Sequence, residues 1–555
     1  MIKALSRDRV NGFLHAEGKR MLNGAGEEVL LAGWGLGNYL LCEGYMWLAK
    51  GDVDRPRRFE QFISDVAGSE YAEYFWRKFR DQYIAEEDIR RMAELGYNSV
   101  RIPFNYRLFM EDGPGLQWKD EGFLLLDRLI DWCEKYRIYA FLDMHGAPGG
   151  QTGSNIDDSV DNQPHLFLEQ ENFDKGIALW VKIAERYQDR WIVGGYDLLN
   201  EPLRTPLGEA FPDDMRIYED RLRAFYREVI AKIRALGDRH LFTIEGYHWA
   251  SDASIFDEKY DDNMCIHFHR YGCTPDISAY QEWLDVSEKL NAPLWLGETG
   301  ENAAEWYAAL YPLALELGIG INIWPWKKML TTNTIYCIRK PKGWDELTDY
   351  MDGGKKPDEK RAQEILDSYL ENMKLENCLF FENVHASLFK LPGTTLHGTD
   401  FDEFPGKGVS YGTARTVANE TAYRVNTGME IVDKYTEVPL GEGFGYPWRK
   451  YVLGMETGDF ACYTIHDTGD GVSVRVTGFA DPGTKIRAYI NGNLVASYLQ
   501  QFPLPADRTE RKLQDADILV EFKLDFEDEV KLKLEIECGR VEIDSVITAP
   551  GAGCC

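Results

Sequence analysis

The sequence predicts an α/β fold in which a (β/α)8 TIM barrel is followed by an all-β jelly-roll sandwich. About eight apolar runs alternate with amphipathic helical stretches over the first two thirds of the 555 residues, as in a closed parallel barrel. Polar residues of chemical interest follow nearly every run. From about Phe380 the pattern changes to short alternating runs broken by Gly, Asp, Asn and Pro, which is typical of an antiparallel sandwich.

The expected organisation is a barrel over residues 1–378, a sandwich over 379–549 and a flexible tail over 550–555. A doubly wound open sheet would also alternate strands and helices, but it does not explain the polar residues at nearly every strand end. The predicted barrel strands are Val29–Trp34, Ser99–Pro103, Tyr139–His145, Tyr196–Asn200, Leu241–Gly246, Cys265–Phe268, Pro293–Gly297 and Ile319–Trp324. The predicted helices are Glu86–Leu95, Leu124–Tyr136, Phe173–Tyr187, Glu219–Leu236, Trp306–Leu317 and a closing helix Lys355–Leu375.

Composition excludes several classes of partner. Sixty-two Lys and Arg against 92 Asp and Glu give a net charge of −30, which argues against nucleic acid and anionic membranes. No apolar run approaches the roughly 20 residues of a membrane span, and the N-terminus contains no secretory signal. Ten cysteines are scattered without metal or disulfide spacing. We expect a cytoplasmic protein, although a signal removed beforehand would leave no trace. Oligomeric state is not indicated.

Two glutamates each end a short apolar run: Glu201 in Leu-Leu-Asn-Glu-Pro and Glu298 in Leu-Trp-Leu-Gly-Glu-Thr-Gly. A single carboxylate in such a place is usually a helix cap or half of an ion pair. Two at the strand ends of one barrel suggest a facing pair, which is what cleavage of a glycosidic bond by double displacement requires. Glu298 is the predicted nucleophile and Glu201 the predicted acid/base. Asn200 is positioned to bond the 2-hydroxyl of the sugar.

Other strand-end residues fit this chemistry. Arg101 is expected to hold the Glu298 carboxylate by a bidentate pair, although an arginine there is also typical of a structural ion pair. His145 is a candidate donor to a sugar hydroxyl, and Tyr271 a candidate donor to the nucleophile. Trp324 offers a flat face for a pyranose ring, with a buried barrel tryptophan as the alternative. We expect Trp326 and Lys327 to extend the wall that Trp324 forms.

These motifs resemble glycoside hydrolase family 5 from about Val29 to Lys327. The matching segments are Gly33-Trp-Gly-Leu-Gly-Asn38 with Glu43, Val100-Arg-Ile-Pro103, Asp143-Met-His-Gly-Ala-Pro-Gly-Gly150, Leu199-Asn-Glu-Pro202, His269-Arg-Tyr271, Gly297-Glu298 and Trp324-Pro-Trp-Lys327. The resemblance implies active-site roles for Arg101, His145, Asn200, Glu201, His269, Tyr271, Glu298 and Trp324. The residues around His145 and Glu43 resemble the exo-acting β-1,3-glucanase and β-glucosidase branch, in which the acidic residue after the first strand closes the non-reducing end.

Two long loops favour a closed pocket over an open cleft. About fifty residues rich in Tyr, Trp and Phe separate the first strand from the helix at Glu86, and Gly146–Gln163 forms a second insertion. Loops of this length usually serve function, although surface insertions are the alternative. The expected activity is exo-acting hydrolysis of β-linked glucosides or short β-glucan oligosaccharides. An endo-acting β-glucanase and a β-mannan-type hydrolase are alternatives, and the sugar and linkage are not indicated.

Four segments after Phe380, namely Gly408–Tyr411, Tyr423-Arg424, Glu456-Thr-Gly-Asp-Phe-Ala-Cys-Tyr463 and Val530–Val546, resemble more faintly the jelly-roll carbohydrate-binding modules of family 6. The predicted strands of this region are Ala461–Ile465, Val472–Thr477, Lys485–Ile490, Ile518–Phe522, Val530–Ile536 and Val541–Ile547. The stretch from Tyr451 lacks the tryptophan expected of such modules, and Asp544 stands where an amide is more usual. A scaffolding role packed on the barrel is therefore the favoured interpretation of this region.

Two other classes compete with a glycosidase. His267 and His269 lie two apart on one predicted strand and so face the same way, which is compatible with a metal-dependent barrel hydrolase. However, no second set of ligands is evident at other strand ends, and no cofactor is expected. A non-catalytic sugar-binding protein would retain the aromatic walls but would not need both glutamates.

Overall fold

The computed structural model describes residues 5–210, 212–417, 423–424, 426–435, 443–444, 447–466, 471–499, 516–524 and 529–550. An antiparallel hairpin, β1 (His15–Glu17) and β2 (Arg20–Leu22), comes first. The strands that follow are β3 (Ala32–Gly35), β4 (Ser99–Asn105), β5 (Tyr139–Gly146), β6 (Val193–Asp197), β7 (Leu241–Glu245), β8 (Met264–His269), β9 (Leu294–Glu298) and β10 (Gly320–Ile323). Neighbours pair in parallel and β10 pairs with β3, so the strands close into the predicted barrel.

Helices surround the barrel. They are α1 (Pro56–Ala67), α2 (Ser69–Gln82), α3 (Glu86–Glu94), α4 (Glu121–Tyr136), α5 (His165–Leu168), α6 (Gln170–Tyr187), α7 (Glu219–Ala235), α8 (Tyr247–Ala250), α9 (Gln281–Leu290), α10 (Ala304–Glu316), α11 (Trp344–Met351), α12 (Glu359–Asn372) and α13 (Glu382–Leu388). The six predicted helices correspond to α3, α4, α6, α7, α10 and α12. Among the described residues, no helix has the length and apolar character needed to cross a membrane.

The segment Tyr39–Tyr83, read from the sequence as one long loop, contains two helices, α1 and α2. Their buried residues recur at helical spacing, for example Phe59, Phe62 and Ile63 in α1 and Phe75 and Phe79 in α2. The aromatic residues of this segment therefore form a packed helical layer. These two helices are not among those predicted from the sequence.

Strand β6 begins and ends three residues earlier than its pattern predicts. It includes Gly194 and Gly195, which do not resemble strand residues in the sequence. A Cβ on Gly194 would lie 2.8 Å from the ring of Phe141, so only glycine fits beside that ring. Because β6 ends at Asp197, Glu201 lies in the loop four residues beyond the strand instead of directly after it.

After the barrel come a small sheet and two antiparallel sheets. The strands are β11 (Lys327–Met329), β12 (Tyr336–Ile338), β13 (Leu379–Phe380), β14 (Thr395–His397), β15 (Tyr411–Gly412), β16 (Glu430–Asp433), β17 (Tyr451–Glu456), β18 (Phe460–His466), β19 (Val472–Ala480), β20 (Lys485–Ile490), β21 (Asn493–Leu499), β22 (Asp517–Leu524), β23 (Glu529–Cys538) and β24 (Arg540–Pro550). One large sheet has the order β16-β17-β24-β19-β22, with β14 pairing β24, and the other has β15-β18-β23-β20-β21.

The antiparallel sheets confirm the predicted all-β region. Alternate residues of β23 are buried, from Val530 to Ile536, and they share one hydrophobic core with residues of the other sheet such as Ile543. Each of the six predicted strands lies within an observed one, and the pattern missed β17 and β21 among others. Of the predicted tail, Pro550 ends β24 and the remainder lies outside the described residues.

Glycines in the first barrel strand and the turn after it make room for the end of β10. A Cβ on Gly35 would lie 2.3 Å from Cε3 of Trp324, and one on Gly37 would lie 2.8 Å from Cζ2 of the same ring. Gly35 and Gly37 therefore leave the space that the Trp324 indole occupies, whereas a Cβ on Gly33 would lie 1.9 Å from the carbonyl oxygen of Ser99. This is a packing requirement, since none of these three glycines has a positive φ.

Gly35→Ala should destabilise the protein by about 1–3 kcal/mol, because the added methyl group overpacks the Trp324 ring. Urea unfolding followed by circular dichroism measures this change. Gly113→Ala is the matched control, since a Cβ at Gly113 meets only the Gln117 amide at 3.8 Å. Equal stabilities of the two variants would show that Trp324 does not depend on this glycine.

Candidate active site

Arg101, in the middle of β4, lies at the centre of the barrel mouth and is fully buried. Its Nη1 donates to Oε2 of Glu298 at 2.6 Å, and its Nε donates to Oδ2 of Asp197 at 2.7 Å. Its Nη2 donates to Oε1 of Glu245 at 2.9 Å and to Oδ1 of Asn200 at 2.8 Å. Arg101, on β4, therefore connects side chains from β6, the loop after β6, β7 and β9.

Glu298 is the last residue of β9, and its side chain is held from two sides. Arg101 contacts only Oε2, while Oε1 accepts a hydrogen bond from the phenol of Tyr271 at 2.7 Å. The expected bidentate pair with Arg101 is wrong in this detail, because the other guanidinium nitrogens bond neighbouring groups. The expected Tyr271 contact is present. Both donors favour the ionised carboxylate that a nucleophile requires.

Glu201 is held in an unusual backbone conformation. Its φ is 44°, a left-handed value that non-glycine residues rarely adopt. Its backbone N–H donates to Oε2 of Glu245 at 2.6 Å, which fixes the turn. Gln151 Nε2 donates to the carbonyl of the preceding Asn200 at 2.9 Å. Strain of this kind, about 1–3 kcal/mol, persists only where neighbouring contacts determine the conformation.

The two glutamates face each other across the mouth. One carboxylate oxygen of each, together with a ring nitrogen of His269, lies within 4.8 Å of the others. Retaining glycosidases place their two carboxyl groups about 5–5.5 Å apart, and inverting enzymes about 6.5–9.5 Å apart. The structure therefore brings Glu201 and Glu298 together at a separation suited to double displacement.

A chain of hydrogen bonds connects Glu201 to a buried aspartate. Nδ1 of His269 lies 2.7 Å from Oε1 of Glu201, and Nε2 of His269 lies 3.1 Å from Nε2 of His267. Nδ1 of His267 lies 3.0 Å from Oδ1 of Asp197. With Asp197 ionised, His267 donates to it and accepts from His269, which leaves Nδ1 of His269 as an acceptor. Glu201 must then be the donor, so this arrangement holds the acid protonated.

The pKa directions agree with these roles. Burial raises the pKa of Glu201 well above its ordinary value, and the charges of Glu298 and Glu43 raise it further. Burial raises the pKa of Glu298 less, because Arg101 opposes the effect. Burial holds the pKa of His269 well below its usual range, so this ring is neutral. The pair is thus suited to one protonated and one ionised carboxyl group.

His145 and Trp324 form one wall of the site. Their rings stack 5.3 Å apart at an angle of 5°. Nε1 of Trp324 donates to the Tyr45 hydroxyl at 2.9 Å, and Nδ1 of His145 lies 2.7 Å from Oδ2 of Asp143. Burial lowers the pKa of His145 to about 3, so the ring is neutral. The face of the Trp324 indole, expected to contact a sugar ring, is therefore stacked on the His145 imidazole.

Glu43 lies at this wall. Its carboxylate is buried, and Oε1 has no hydrogen-bond partner among the described residues. Nε2 of His145 is 3.9 Å from this oxygen, beyond hydrogen-bond distance. A buried, unpaired carboxylate oxygen is costly unless another group, here a ligand hydroxyl, bonds it.

Trp326 and Lys327 do not extend the wall, and the expectation is wrong for both. Nε1 of Trp326 and Nζ of Lys327 each donate to Oδ1 of Asp88, in α3, at 2.9 Å. Trp326 also packs edge-to-face on Trp34. The chain turns after Trp324 and directs these side chains between the barrel and its helices. Lys328 instead lies near the mouth, 2.5 Å from Oε1 of Glu301.

Sequence reasoning missed several members of the site. Glu245 and Asp197 end strands β7 and β6 just as Glu298 ends β9, so the strand-end criterion identifies them too. Asp143, two residues before His145, belongs to the Asp143–Gly150 motif but has no predicted role of its own. Tyr45 carries no sequence signal, because only the folded loop brings it to Trp324.

Within the part of the chain that the structure describes, two groups of side chains have the ligand types of a metal site: Glu245, His267 and His269, and Glu201, His269 and Glu298. The predicted alignment of His267 and His269 on one face is present. Both groups share His269, whose two ring nitrogens already contact Glu201 and His267. A metal ion would have to replace those hydrogen bonds, so the donor set fits a proton relay better.

A closed parallel barrel with two facing carboxylates at its mouth is an arrangement that glycoside hydrolases use, and the comparisons with known proteins point to proteins of that class. Residues 61–330 match the cellulase family model, glycosyl hydrolase family 5. This segment is therefore similar to the family 5 glycoside hydrolases.

Curated relatives share this domain. A β-xylosidase of Phanerodontia chrysosporium is 36% identical over 264 residues, which cover 47% of this chain and 52% of the relative. A glucan 1,3-β-glucosidase of Lachancea kluyveri is 27% identical over 339 residues, 56% and 71% of the two chains. Endoglucanase C of Acetivibrio thermocellus is 28% identical over 199 residues, 36% and 53%. The chain thus spans about half the length of the first and third relatives.

Tyr271→Phe should shift the acidic limb of the pH dependence of kcat/KM to higher pH. The phenol favours ionised Glu298, so its loss raises the pKa of that carboxyl group and the nucleophile ionises later. The value of kcat/KM should also fall roughly tenfold to a hundredfold, because a hydrogen bond to a charged group contributes about 1.5–3 kcal/mol. Aryl β-glycoside hydrolysis across pH measures both effects.

Tyr280→Phe is the matched control for this variant. Tyr280 is fully buried whereas Tyr271 is partly buried, and the Tyr280 hydroxyl donates to the carbonyl of Leu310 without contacting the carboxylates. It should leave the acidic limb in place. An unmoved limb in Tyr271→Phe would contradict the assigned contact.

Proposed function

We propose that this protein is a retaining β-glycosidase that removes β-linked glucosyl units from the non-reducing end of short saccharides or glycosides. The observation that carries the proposal is the approach of Glu201 and Glu298 to within 4.8 Å, together with their different environments. Glu201 faces a histidine relay that leaves it protonated, and Glu298 faces Arg101 and Tyr271, which favour its anion.

In the proposed reaction Glu298 attacks the anomeric carbon while Glu201 gives its proton to the departing oxygen. The bond to the leaving group breaks, and a covalent glycosyl-enzyme forms on Glu298. Glu201, now a carboxylate, takes a proton from water, and the resulting hydroxide attacks the same carbon and releases Glu298. Asn200 keeps a free N–H beside the site for the 2-hydroxyl, since one hydrogen of its Nδ2 points to Nε2 of His145 at 3.3 Å.

Several features support exo action. The Glu43 oxygen without a partner lies beside the stacked His145 and Trp324 rings, where a terminal sugar hydroxyl would supply its hydrogen bond. Tyr45 closes the same side through its contact with Trp324. The relatives include both glucan 1,3-β-glucosidases and endoglucanases, so endo action on β-glucans is the second candidate. The β-xylosidase relative makes β-xylosides a further substrate to assay.

For the region after the barrel we propose a scaffolding role instead of a separate sugar-binding one. Asp544, the counterpart of the residue expected to bind sugar, is buried and accepts hydrogen bonds from Tyr435 at 2.7 Å and Ser545 at 2.9 Å. This region also braces a barrel loop, because the Arg424 N–H donates to Asp276 at 2.9 Å.

Glu298→Gln should abolish turnover of aryl β-glycosides, since the amide cannot form the glycosyl-enzyme. Glu201→Ala should lose roughly a hundredfold to ten-thousandfold and regain turnover with azide, giving the β-glycosyl azide. NMR of early wild-type product should show the retained β-anomer. Glu282→Gln, at an exposed position of α9, is the control and should behave as wild type. Inverted product would exclude double displacement.

Exo action predicts that β-1,3-linked oligosaccharides shorten by one sugar at a time. Early time points analysed by anion-exchange chromatography should contain the monosaccharide and the oligosaccharide one unit shorter. Glu43→Gln should raise KM more than it lowers kcat, because the oxygen is assigned to binding a terminal hydroxyl. A mixture of mid-length products from wild type would favour the endo alternative.

A further inference from the structure

Phe444 lies in the region after the barrel, yet it reaches the mouth of the barrel. Its ring centroid is 4.9 Å from that of Tyr271, whose hydroxyl bonds the Glu298 carboxylate. Half of its side chain is exposed, although it is large and apolar. A half-exposed phenylalanine packed against a residue that contacts the nucleophile lies at the rim of the reaction site.

The backbone of Phe444 is fixed to the loop that follows β9. Its N–H donates to the carbonyl of Glu301 at 2.9 Å, and its own carbonyl accepts from Nδ2 of Asn302 at 3.1 Å. Gly443 makes this approach possible, because a Cβ there would lie 2.3 Å from the Glu301 oxygen and φ is +68°. These contacts fix the ring beside Tyr271 while leaving one side exposed.

We propose that Phe444 contacts the leaving group of the substrate, so that the region after the barrel completes the substrate site. This inference rests on the proposed exo action. In the proposed exo reaction the side of the non-reducing end is closed by Glu43, His145 and Trp324. Any part of the substrate beyond the scissile bond therefore extends toward the exposed rim. An exposed aromatic face suits a planar aglycone or the apolar face of a second sugar. Phe444 then determines which leaving groups the enzyme accepts.

The experiment compares two substrates that share one sugar and differ only in the leaving group. Fluoride, in the β-glycosyl fluoride, is too small to touch the rim, whereas an aryl aglycone reaches it. Phe444→Ala should lower kcat/KM for the aryl glycoside about tenfold and leave kcat/KM for the fluoride within about twofold. Phe444→Tyr should retain wild-type values on both substrates.

Two further variants complete the design. Phe404→Ala, at another exposed phenylalanine of the same region (37% exposed), should change neither value. Gly443→Ala should reproduce the Phe444→Ala profile, because its Cβ displaces the backbone that carries the ring. Because Phe444 is half-exposed, its truncation should leave the thermal unfolding temperature unchanged, which separates a substrate contact from misfolding.

The outcomes distinguish this inference from the proposed function. If Phe444→Ala lowers both substrates equally, the ring only positions Tyr271 and Glu298, and the leaving-group contact is wrong. If neither value changes, Phe444 has no role in the reaction. If the wild type cleaves neither the fluoride nor any aryl glycoside, the proposed function itself fails.

Discussion

The site depends on one buried guanidinium surrounded by more acid than it can neutralise. Arg101 contacts Asp197, Glu245 and Glu298, and Nη2 lies 3.1 Å from Asp143. Four carboxylates around one cation cannot all stay ionised in a buried site. Burial raises the pKa values of Asp143 and Glu245, whereas His267 and Arg101 lower that of Asp197. With Asp143 and Glu245 protonated, Asp197 and Glu298 remain as the anions.

That charge distribution connects the two glutamates proposed as catalytic. Arg101 bonds Glu298 directly and reaches Glu201 through Glu245, whose other oxygen accepts the Glu201 N–H. Asp197 joins Arg101 to the histidine relay, so it influences the proton on Glu201 from the opposite end. Removing one member of such a network typically costs about 3–5 kcal/mol, because a buried charge is left unpaired. Orientation and protonation state therefore depend on the same few contacts.

The sequence predicts those parts of the fold and site that depend on local pattern. Barrel strands are buried on both faces, so they appear as continuous apolar runs, and a carboxylate at the end of a run, such as Glu298, stands out. Trp326 and Lys327 were misplaced because the direction of the chain after Trp324 depends on packing against Asp88. The predicted strand near Gly194 begins three residues too late, because the need for glycine there arises only from packing against the Phe141 ring.

Contacts between distant segments are beyond such reasoning. Phe444 lies 146 positions after Glu298, and no periodicity relates the two. The hydrogen bonds to Glu301 and Asn302 arise from how the antiparallel region packs on the barrel loops. Asp544 is satisfied within the antiparallel region by Tyr435 and Ser545, which agrees with the proposed scaffolding role. In the proposed reaction the barrel supplies the reacting groups, and the antiparallel region contacts the loops beside them.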